Sequence, residues 1–226
     1  MCMNRNALKI IAVATMLIDH IGLFFFDNLI WLRLVGRIAF PLFAFFIAEG
    51  MRYTKNRKKY TLTMLLFAVV SQIPYMFLFG YFNLNVLFTF LYAILVIYVA
   101  EINKPAIGKV EKTFMLIILG LIIVLLGYLG VIDYGVLGVA LVLVFYFIRK
   151  PMFRYLAGAL VLLLMVVEDL LLYGVSALSF VQVASLLAIA LLFFYNGEKG
   201  RVNLKYFFYV FYPSHLYLIW LISLFV

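Results

Sequence analysis

Two ionisable residues in the first apolar stretch have types and spacing suited to chemistry on a long anionic substrate. Lys9 and His20 are eleven positions apart in KIIAVATMLIDH, so on a helix they lie within about 20° of one face and about 16 Å apart along the axis. The basic group could bind the phosphates of a donor, while the imidazole acts as a base at its reactive end. Acyl-coenzyme A has this shape. Asp19 points about 100° away from His20, so another helix could supply the carboxylate that orients the imidazole.

The second histidine, His215, lies in YPSH at positions 212–215. Pro213 removes one helical hydrogen bond and kinks the helix, which frees a backbone carbonyl beside His215. Such kinks are also common packing features, so the pattern leaves both interpretations open. The same holds for SQIP at 71–74, where Gln72 is an ordinary residue for hydrogen bonding between helices.

The elements that must position these residues are membrane spans. Hydrophobic residues make up 69% of the 226-residue chain, charged residues 12%, and the mean hydropathy is +1.20, whereas soluble domains carry roughly 25% charged residues. No internal repeat or linker divides the sequence, which predicts a single domain over residues 1–226. We therefore predict an all-α bundle of about nine transmembrane helices. The predicted spans are 7–26, 35–51, 62–80, 84–100, 114–131, 134–148, 155–173, 177–195 and 206–226, of which 134–148 is the weakest.

The net charge of +9 follows from topology and does not indicate a nucleic-acid partner. Sixteen of the eighteen Lys and Arg residues fall in alternate loops or at the helix ends beside them, including the cluster from Arg52 to Lys59. By the positive-inside rule these loops are cytoplasmic, so the N-terminus is inside. We expect an integral membrane protein in contact with the lipid bilayer.

The two basic residues outside this pattern, Arg33 and Arg37, lie on the outer side and would share one face of a helix. Acidic residues at outer positions include Asp19, Asp133 and Glu168. An ionisable group in a span costs several kcal/mol unless it is paired or faces a water-filled cavity. These charges are therefore either functional or ion pairs that lock helices together.

Six strings in order resemble the TraX family over nearly the whole chain: LKIIAVATMLIDHIG at 8–22, GRIAFPLFAFFIAEG at 36–50, SQIP at 71–74, NVLFT at 85–89, DYGVLGV at 133–139 and YPSHL at 212–216. The family is known for membrane acetylases of pilin N-termini in conjugation systems and looks related to acyltransferase-3-type membrane acyltransferases. That wider group carries a basic residue and a histidine eleven apart on its first helix. Lys9 and His20 match that pair, with lysine in place of the usual arginine.

The resemblance implies that acetyl-CoA approaches from the cytoplasm and that the acceptor enters from outside. His20 would be the general base, with Asp19 and His215 as further catalytic residues. Lys9 and the basic cluster Arg52 to Lys59, with Arg57 and Lys58 as its named members, would bind the donor phosphates. Candidates for acceptor contacts are Arg33, Arg37, Gln72, Asp133 and Tyr134. An amine acceptor, such as the N-terminus of a pilin or another exported protein, suits histidine better than a hydroxyl because its pKa is closer. No metal is predicted.

Two other functions stay open at this point. A proton-coupled transporter could use Asp19, His20, Glu168, Asp169 and His215 as a relay. A non-catalytic assembly subunit of a secretion or conjugation system would use the buried charges only to specify helix packing.

Overall fold

The computed structural model describes residues 3–79, 83–102, 107–175, 180–200 and 205–225. Within these ranges the regular structure is helical, with two isolated backbone bridges, Met3 to Tyr195 and Leu84 to Ile132. The helices are α1 Arg5–Phe25, α2 Ile30–Gly36, α3 Ala39–Tyr53, α4 Arg57–Phe79, α5 Val86–Ala100, α6 Lys109–Tyr128, α7 Gly135–Phe147, α8 Pro151–Tyr173, α9 Leu186–Phe193 and α10 Lys205–Ser223; one 3-10 turn, Gln182–Ser185, precedes α9.

Each of the nine predicted spans contains a helix, so the prediction of an all-α membrane bundle is confirmed. Five segments of the described chain are long and apolar enough to cross a membrane. They are Arg5–Phe25, Ile30–Tyr53, Arg57–Phe79, Lys109–Tyr128 and Pro151–Tyr173. The second of these joins α2 and α3, so it begins earlier than the predicted residue 35. The other four spans correspond to shorter apolar helices.

The weakest predicted span, 134–148, corresponds to α7, which is the central helix of the bundle. α7 has 13 residues, about 20 Å of helix against a hydrocarbon core of about 30 Å. It packs on α3, α5, α6 and α8 and buries Leu141, Val142 and Phe145. In α6, by contrast, Ile123 is the one buried residue. The short helix is therefore shielded from lipid by its neighbours, while α6 presents nearly its whole surface outward.

The first and last helices meet, which is what assembles the site. α1 packs on α2, α3 and α10, and α10 also packs on α4. α1 and α2 approach closely because Gly36 lies against the Asp19 side chain, where a Cβ atom would overlap it. The starts of α1, α4 and α8 and the end of α3 lie at one end of the bundle, which we call the basic end because Arg5, Arg57, Arg154 and Arg52 lie there. The opposite end, where Asp19, Arg33, Arg37 and Asp133 lie, is the far end.

Candidate functional site

The two histidines form a direct pair. Nδ1 of His20 on α1 lies 2.8 Å from Nε2 of His215 on α10, and the two rings stack with centroids 5.0 Å apart. Nδ1 of His215 lies 3.0 Å from the backbone oxygen of Phe211, one turn earlier on α10. His215 is buried, and both of its ring nitrogens have a partner, so its orientation is fixed.

These contacts assign the proton positions on both rings. A carbonyl oxygen can only accept, so Nδ1 of His215 must carry the hydrogen that bonds Phe211. In the neutral ring Nε2 of His215 is then an acceptor, and Nδ1 of His20 must be the donor to it. This leaves the lone pair of His20 on Nε2. The pair therefore presents one imidazole nitrogen able to take up a proton.

Among the described residues no carboxylate bonds His20; its Nδ1 bonds His215 instead. The sequence argument left open which carboxylate would do so, and the structure replaces the carboxylate with a neutral histidine from the last helix. The backbone oxygen that bonds His215 belongs to Phe211. It is not the backbone oxygen of Tyr209, which loses its helical donor because Pro213 has no N–H.

Asp19 belongs to a cluster of charges at the far end. Its Oδ2 accepts from Nη1 of Arg33 at 2.9 Å, and the same Nη1 lies 3.0 Å from the backbone oxygen of Asp19. Arg37 interacts electrostatically with the carboxylates of Asp19, Asp133 and Asp169 and lies near Tyr134. Oδ1 of Asp19 is buried and makes no hydrogen bond within the described residues. The structure thus brings five predicted site residues into one cluster: Asp19, Arg33, Arg37, Asp133 and Tyr134. His20 follows Asp19 in the chain and lies in the electrostatic field of Arg33 and Arg37.

Tyr134 and Asp133 are held rigidly at the start of α7. The Tyr134 ring stacks on Phe40 with centroids 3.6 Å apart and an angle of 4°, and its backbone is left-handed with φ of 59°. Thr89 donates to the backbone oxygen of Asp133 at 2.5 Å. A left-handed, non-glycine residue is costly and persists only where its surroundings fix it. The stacking and the threonine bond supply that fixation.

Gln72 has a structural role at the entry to α5. Its Nε2 donates to the backbone oxygen of Asn83 at 2.6 Å, and its Oε1 accepts from the backbone amide and the side-chain amide of Asn85. Asn85 is fully buried and caps α5 by accepting from the amide of Leu87. The predicted acceptor contact of Gln72 would have to use an amide that is already bonded at both ends.

We expect Gln72→Leu to destabilise the protein by about 1–3 kcal/mol, because the change leaves buried polar groups of the 83–85 segment without partners. Thermal unfolding of the detergent-solubilised protein measures the loss. The activity of the folded fraction should be unchanged. A raised KM with unchanged stability would instead place Gln72 in contact with the acceptor.

An internal cavity of about 390 Å³ runs from the basic end toward the histidine pair. We call it the central cavity; its walls include Arg5, Lys9, Tyr53 and Lys199 near the basic end and Met16, Val86, Leu87 and Tyr212 deeper in the bundle. Met16 lies one turn before His20, and the Tyr212 ring is 5.5 Å from that of His215. The volume is in the range of small-molecule sites, about 300–1,000 Å³. The cavity thus connects the Lys9 level with the level just below the histidines.

Lys9 contributes to the wall of the central cavity, with its Nζ 5.4 Å and 4.9 Å from the ring centroids of Phe46 and Phe208. The other two predicted donor-binding residues do not line it. Arg57 donates to the backbone oxygen of Met51, to Glu101 and to the hydroxyl of Tyr146. Lys58 is exposed on α4. The expected phosphate contacts of Arg57 and Lys58 therefore find no support in their positions.

Sequence reasoning missed a second cavity, of about 820 Å³, at the basic end. We call it the arginine cavity because its walls include Arg5, Arg52, Arg149 and Arg154 around Glu49. Glu49 is buried, and its carboxylate lies 3.2 Å from Arg5, 3.8 Å from Arg52 and 3.7 Å from Arg154. One sequence feature pointed to it: among the acidic residues outside the cytoplasmic loops, Glu49 is the one that does not lie toward the outer side.

The proposed proton relay is only partly assembled. Glu168 and Asp169 lie on α8, which packs on α7 and α9, whereas the histidines lie on α1 and α10. Glu168 is exposed. The structure brings the two histidines together and gives them no described contact with this acidic pair.

Together the fold and the site define a polytopic helical membrane protein with a base-bearing histidine pair above an internal cavity. The chain belongs to the TraX family: the family model described as "TraX protein" matches residues 4–223. It is 31% identical over 245 aligned residues to "Probable fimbrial assembly protein FimC, serogroup H1" of Dichelobacter nodosus, covering 96% of this chain and 97% of the relative. A shorter match, 38% identical over 69 residues, covers 30% of this chain and 26% of an uncharacterized protein of Rickettsia prowazekii. No solved structure matches.

Proposed function

We propose that this protein is a membrane acetyltransferase that moves an acetyl group from acetyl-CoA to an amine. One observation carries the proposal: Nε2 of His20 is the basic nitrogen of the pair, and Met16, one turn before His20 on α1, lines a cavity whose wall includes Lys9 near the basic end. A thioester carried on a flexible arm could follow that cavity from the basic end, so donor and base would meet inside the bundle.

The chain's own residues then have defined tasks. The amine nitrogen attacks the carbonyl carbon of the thioester, and Nε2 of His20 accepts the proton that the nitrogen loses. The carbon–sulfur bond breaks, the sulfur takes the proton from His20, and the products are an N-acetyl group and coenzyme A. His215 accepts the hydrogen bond from Nδ1 of His20 throughout, which holds the ring and stabilises its charged form.

The acceptor we propose is the free N-terminus of an exported protein, with a fimbrial or pilin subunit as the first candidate. The support is the description of the Dichelobacter nodosus relative as a probable fimbrial assembly protein. The far end, with its cluster of Asp19, Arg33 and Arg37, would face the outside of a bacterial cytoplasmic membrane. There its charges would receive the acceptor peptide.

The test uses membranes from cells that produce the full chain, mixed with acetyl-CoA labelled in the acetyl group. We expect label on a peptide with a free α-amino group and none on the same peptide blocked at its N-terminus. Membranes from cells without the protein give the background. Equal labelling of both peptides, or no labelling above background with any amine peptide, would contradict the proposed N-acetylation.

The relative's description also favours a second candidate, a non-catalytic assembly subunit. In that case the buried charges specify helix packing, and assembly of surface fibres in the native host would survive His20→Gln. Under the acetyltransferase proposal the same variant loses N-terminal acetylation of the fibre subunit, which mass spectrometry of isolated fibres detects.

A further inference from the structure

The arginine cavity carries an excess of positive charge that its own residues do not balance. Arg5, Arg52, Arg149 and Arg154 contribute four positive charges to its wall, and Glu49 is the one acidic residue there among those the structure describes. The floor, with Glu49 and Arg154, is buried, whereas Arg149 at the rim is exposed. Arg149 is exposed and Arg5 is partly exposed, so the buried excess is that of Arg52 and Arg154 over Glu49. Buried charges are normally paired, and this excess favours a negative partner.

The hydrogen bonds lead to the same conclusion. Oε2 of Glu49 faces Arg5, and Oε1 faces both Arg52 and Arg154. Nη2 of Arg52 donates to the backbone oxygens of Phe145 and Tyr146. The Nε atoms of Arg52 and Arg154 are buried and have no hydrogen-bond partner within the described residues. Buried donors left unmatched are costly, and these two show that the chain does not fully pair the arginines around Glu49.

A purely structural ion cluster would be expected to balance its charges. The Arg57–Glu101 pair at the same end of the bundle matches one arginine to one carboxylate at 2.5 Å, and Glu101 also lies in the field of Arg149. The arginine cavity differs from it in three ways: it has surplus charge, unmatched buried donors, and about 820 Å³ of open space beside them. These are the properties of a binding site for a multiply charged anion.

We propose that the arginine cavity binds the phosphate groups of a nucleotide, which for the proposed function are those of the acyl donor. Guanidinium groups match phosphate oxygens with paired hydrogen bonds. Phe193, Tyr155 and Tyr195 also line the cavity, and aromatic rings provide surfaces on which a base can stack. This assignment rests on the proposed function and moves the donor phosphates away from Arg57 and Lys58.

The position of the cavity relative to the histidines supports a nucleotide over a free phosphate or a lipid headgroup. The arginine cavity and the central cavity share Arg5, Glu49 and Tyr53 in their walls. The two cavities therefore adjoin at these three residues, and a donor with its phosphates among the arginines would pass its arm between them into the central cavity, toward His20. A lipid headgroup bound among the arginines would not account for the central cavity.

The experiment measures binding of coenzyme A and of pantetheine, which lacks the phosphates, to the purified full chain in detergent. We expect coenzyme A to bind at least tenfold tighter than pantetheine. Arg149→Gln and Arg154→Lys should each weaken coenzyme A about tenfold and leave pantetheine unchanged. Lys58→Gln, which alters the charge on an exposed residue outside both cavities, is the matched control. Arg149 is exposed, so its variant should fold even if a change at Arg154 does not.

Three results would overturn the assignment: no binding of coenzyme A by the wild-type chain, equal binding of coenzyme A by the arginine variants and Lys58→Gln, or equal affinity for coenzyme A and pantetheine. A lipid arm uses nanodiscs of phosphatidylglycerol or phosphatidylcholine. If phosphatidylglycerol blocks coenzyme A binding and its own retention depends on Arg149, the site belongs to lipid. Because the readout is binding, His20→Ala should bind coenzyme A normally, so failure of this site and failure of acetyl transfer are distinguishable.

Discussion

Replacing His20 by alanine is expected to lower the rate of acetyl transfer by about 10²–10⁴-fold, the usual contribution of a positioned general base. The expectation follows from the proton assignment: Nε2 of His20 is the nitrogen that the His215 and Phe211 contacts leave unprotonated. The labelled acetyl-CoA assay on membranes, normalised to the amount of folded protein, gives the rate. Affinity for the donor should change little, so the loss should appear in kcat.

The two histidines should behave as one unit. His215→Ala removes the acceptor for Nδ1 of His20 and so frees the ring to turn or change tautomer; we expect a loss of about 10–10²-fold, smaller than that of His20→Ala. Residues that act together are strongly non-additive. The double variant should therefore be no slower than His20→Ala alone. If the two losses multiply instead, His215 acts independently of His20.

Ser214→Ala supplies the matched control because Ser214 is exposed and adjacent to His215 on α10. It should retain the wild-type rate. Thermal unfolding in detergent checks that both histidine variants fold. Wild-type transfer by a folded His20→Ala protein would remove His20 from the chemistry and leave the assembly-subunit hypothesis stronger.

Much of the frame around this pair could be predicted because it depends on local patterns. Apolar stretches set the nine spans, and the 100° step of a helix placed Lys9 and His20 on one face. Both residues do lie on α1, with Lys9 in the wall of the cavity that ends near Met16. The charges that gather at the far end, Asp19 with Arg33 and Arg37, also followed from the requirement that ionisable groups in spans find partners.

What could not be predicted depends on which helices meet. The contact between His20 and His215 joins residues 195 positions apart, and no periodicity in either helix specifies it. The sequence left Gln72 open between an acceptor contact and helix packing, and its bonds to Asn83 and Asn85 favour a structural role. The arginine cavity draws its residues from the ends of four helices and the chain beside them. The sequence placed Arg52 in a basic cluster that could bind the donor phosphates, but it counted Arg5, Arg149 and Arg154 only as topology signals.

Glu49→Gln is expected to destabilise the folded protein by about 3–5 kcal/mol, because removing one partner from a buried ion cluster leaves uncompensated charge behind. Glu49 is 7% exposed and faces Arg5, Arg52 and Arg154. Glutamine keeps the size of the side chain but removes the charge, so the loss reports electrostatics more than packing. Thermal or denaturant unfolding in one detergent measures it.

Glu101→Gln is the matched control, since the same substitution there breaks the Arg57–Glu101 pair, in which both side chains are 33% exposed. Exposed pairs contribute at most about 1 kcal/mol. The two glutamate variants therefore differ chiefly in burial. Equal losses in the two variants would mean that water reaches Glu49 freely and screens its arginines.

The same variant connects stability to binding in the arginine cavity. A ligand that binds only the folded state stabilises it in proportion to the logarithm of its concentration over its Kd. With Glu49 neutral, the surrounding arginines lack their one internal anion, so added phosphate should be bound more tightly than in the wild type. Coenzyme A should then raise the unfolding temperature of Glu49→Gln more than that of the wild type, whereas pantetheine should shift both equally. If coenzyme A gives the same shift for both proteins, the arginines around Glu49 do not receive its phosphates.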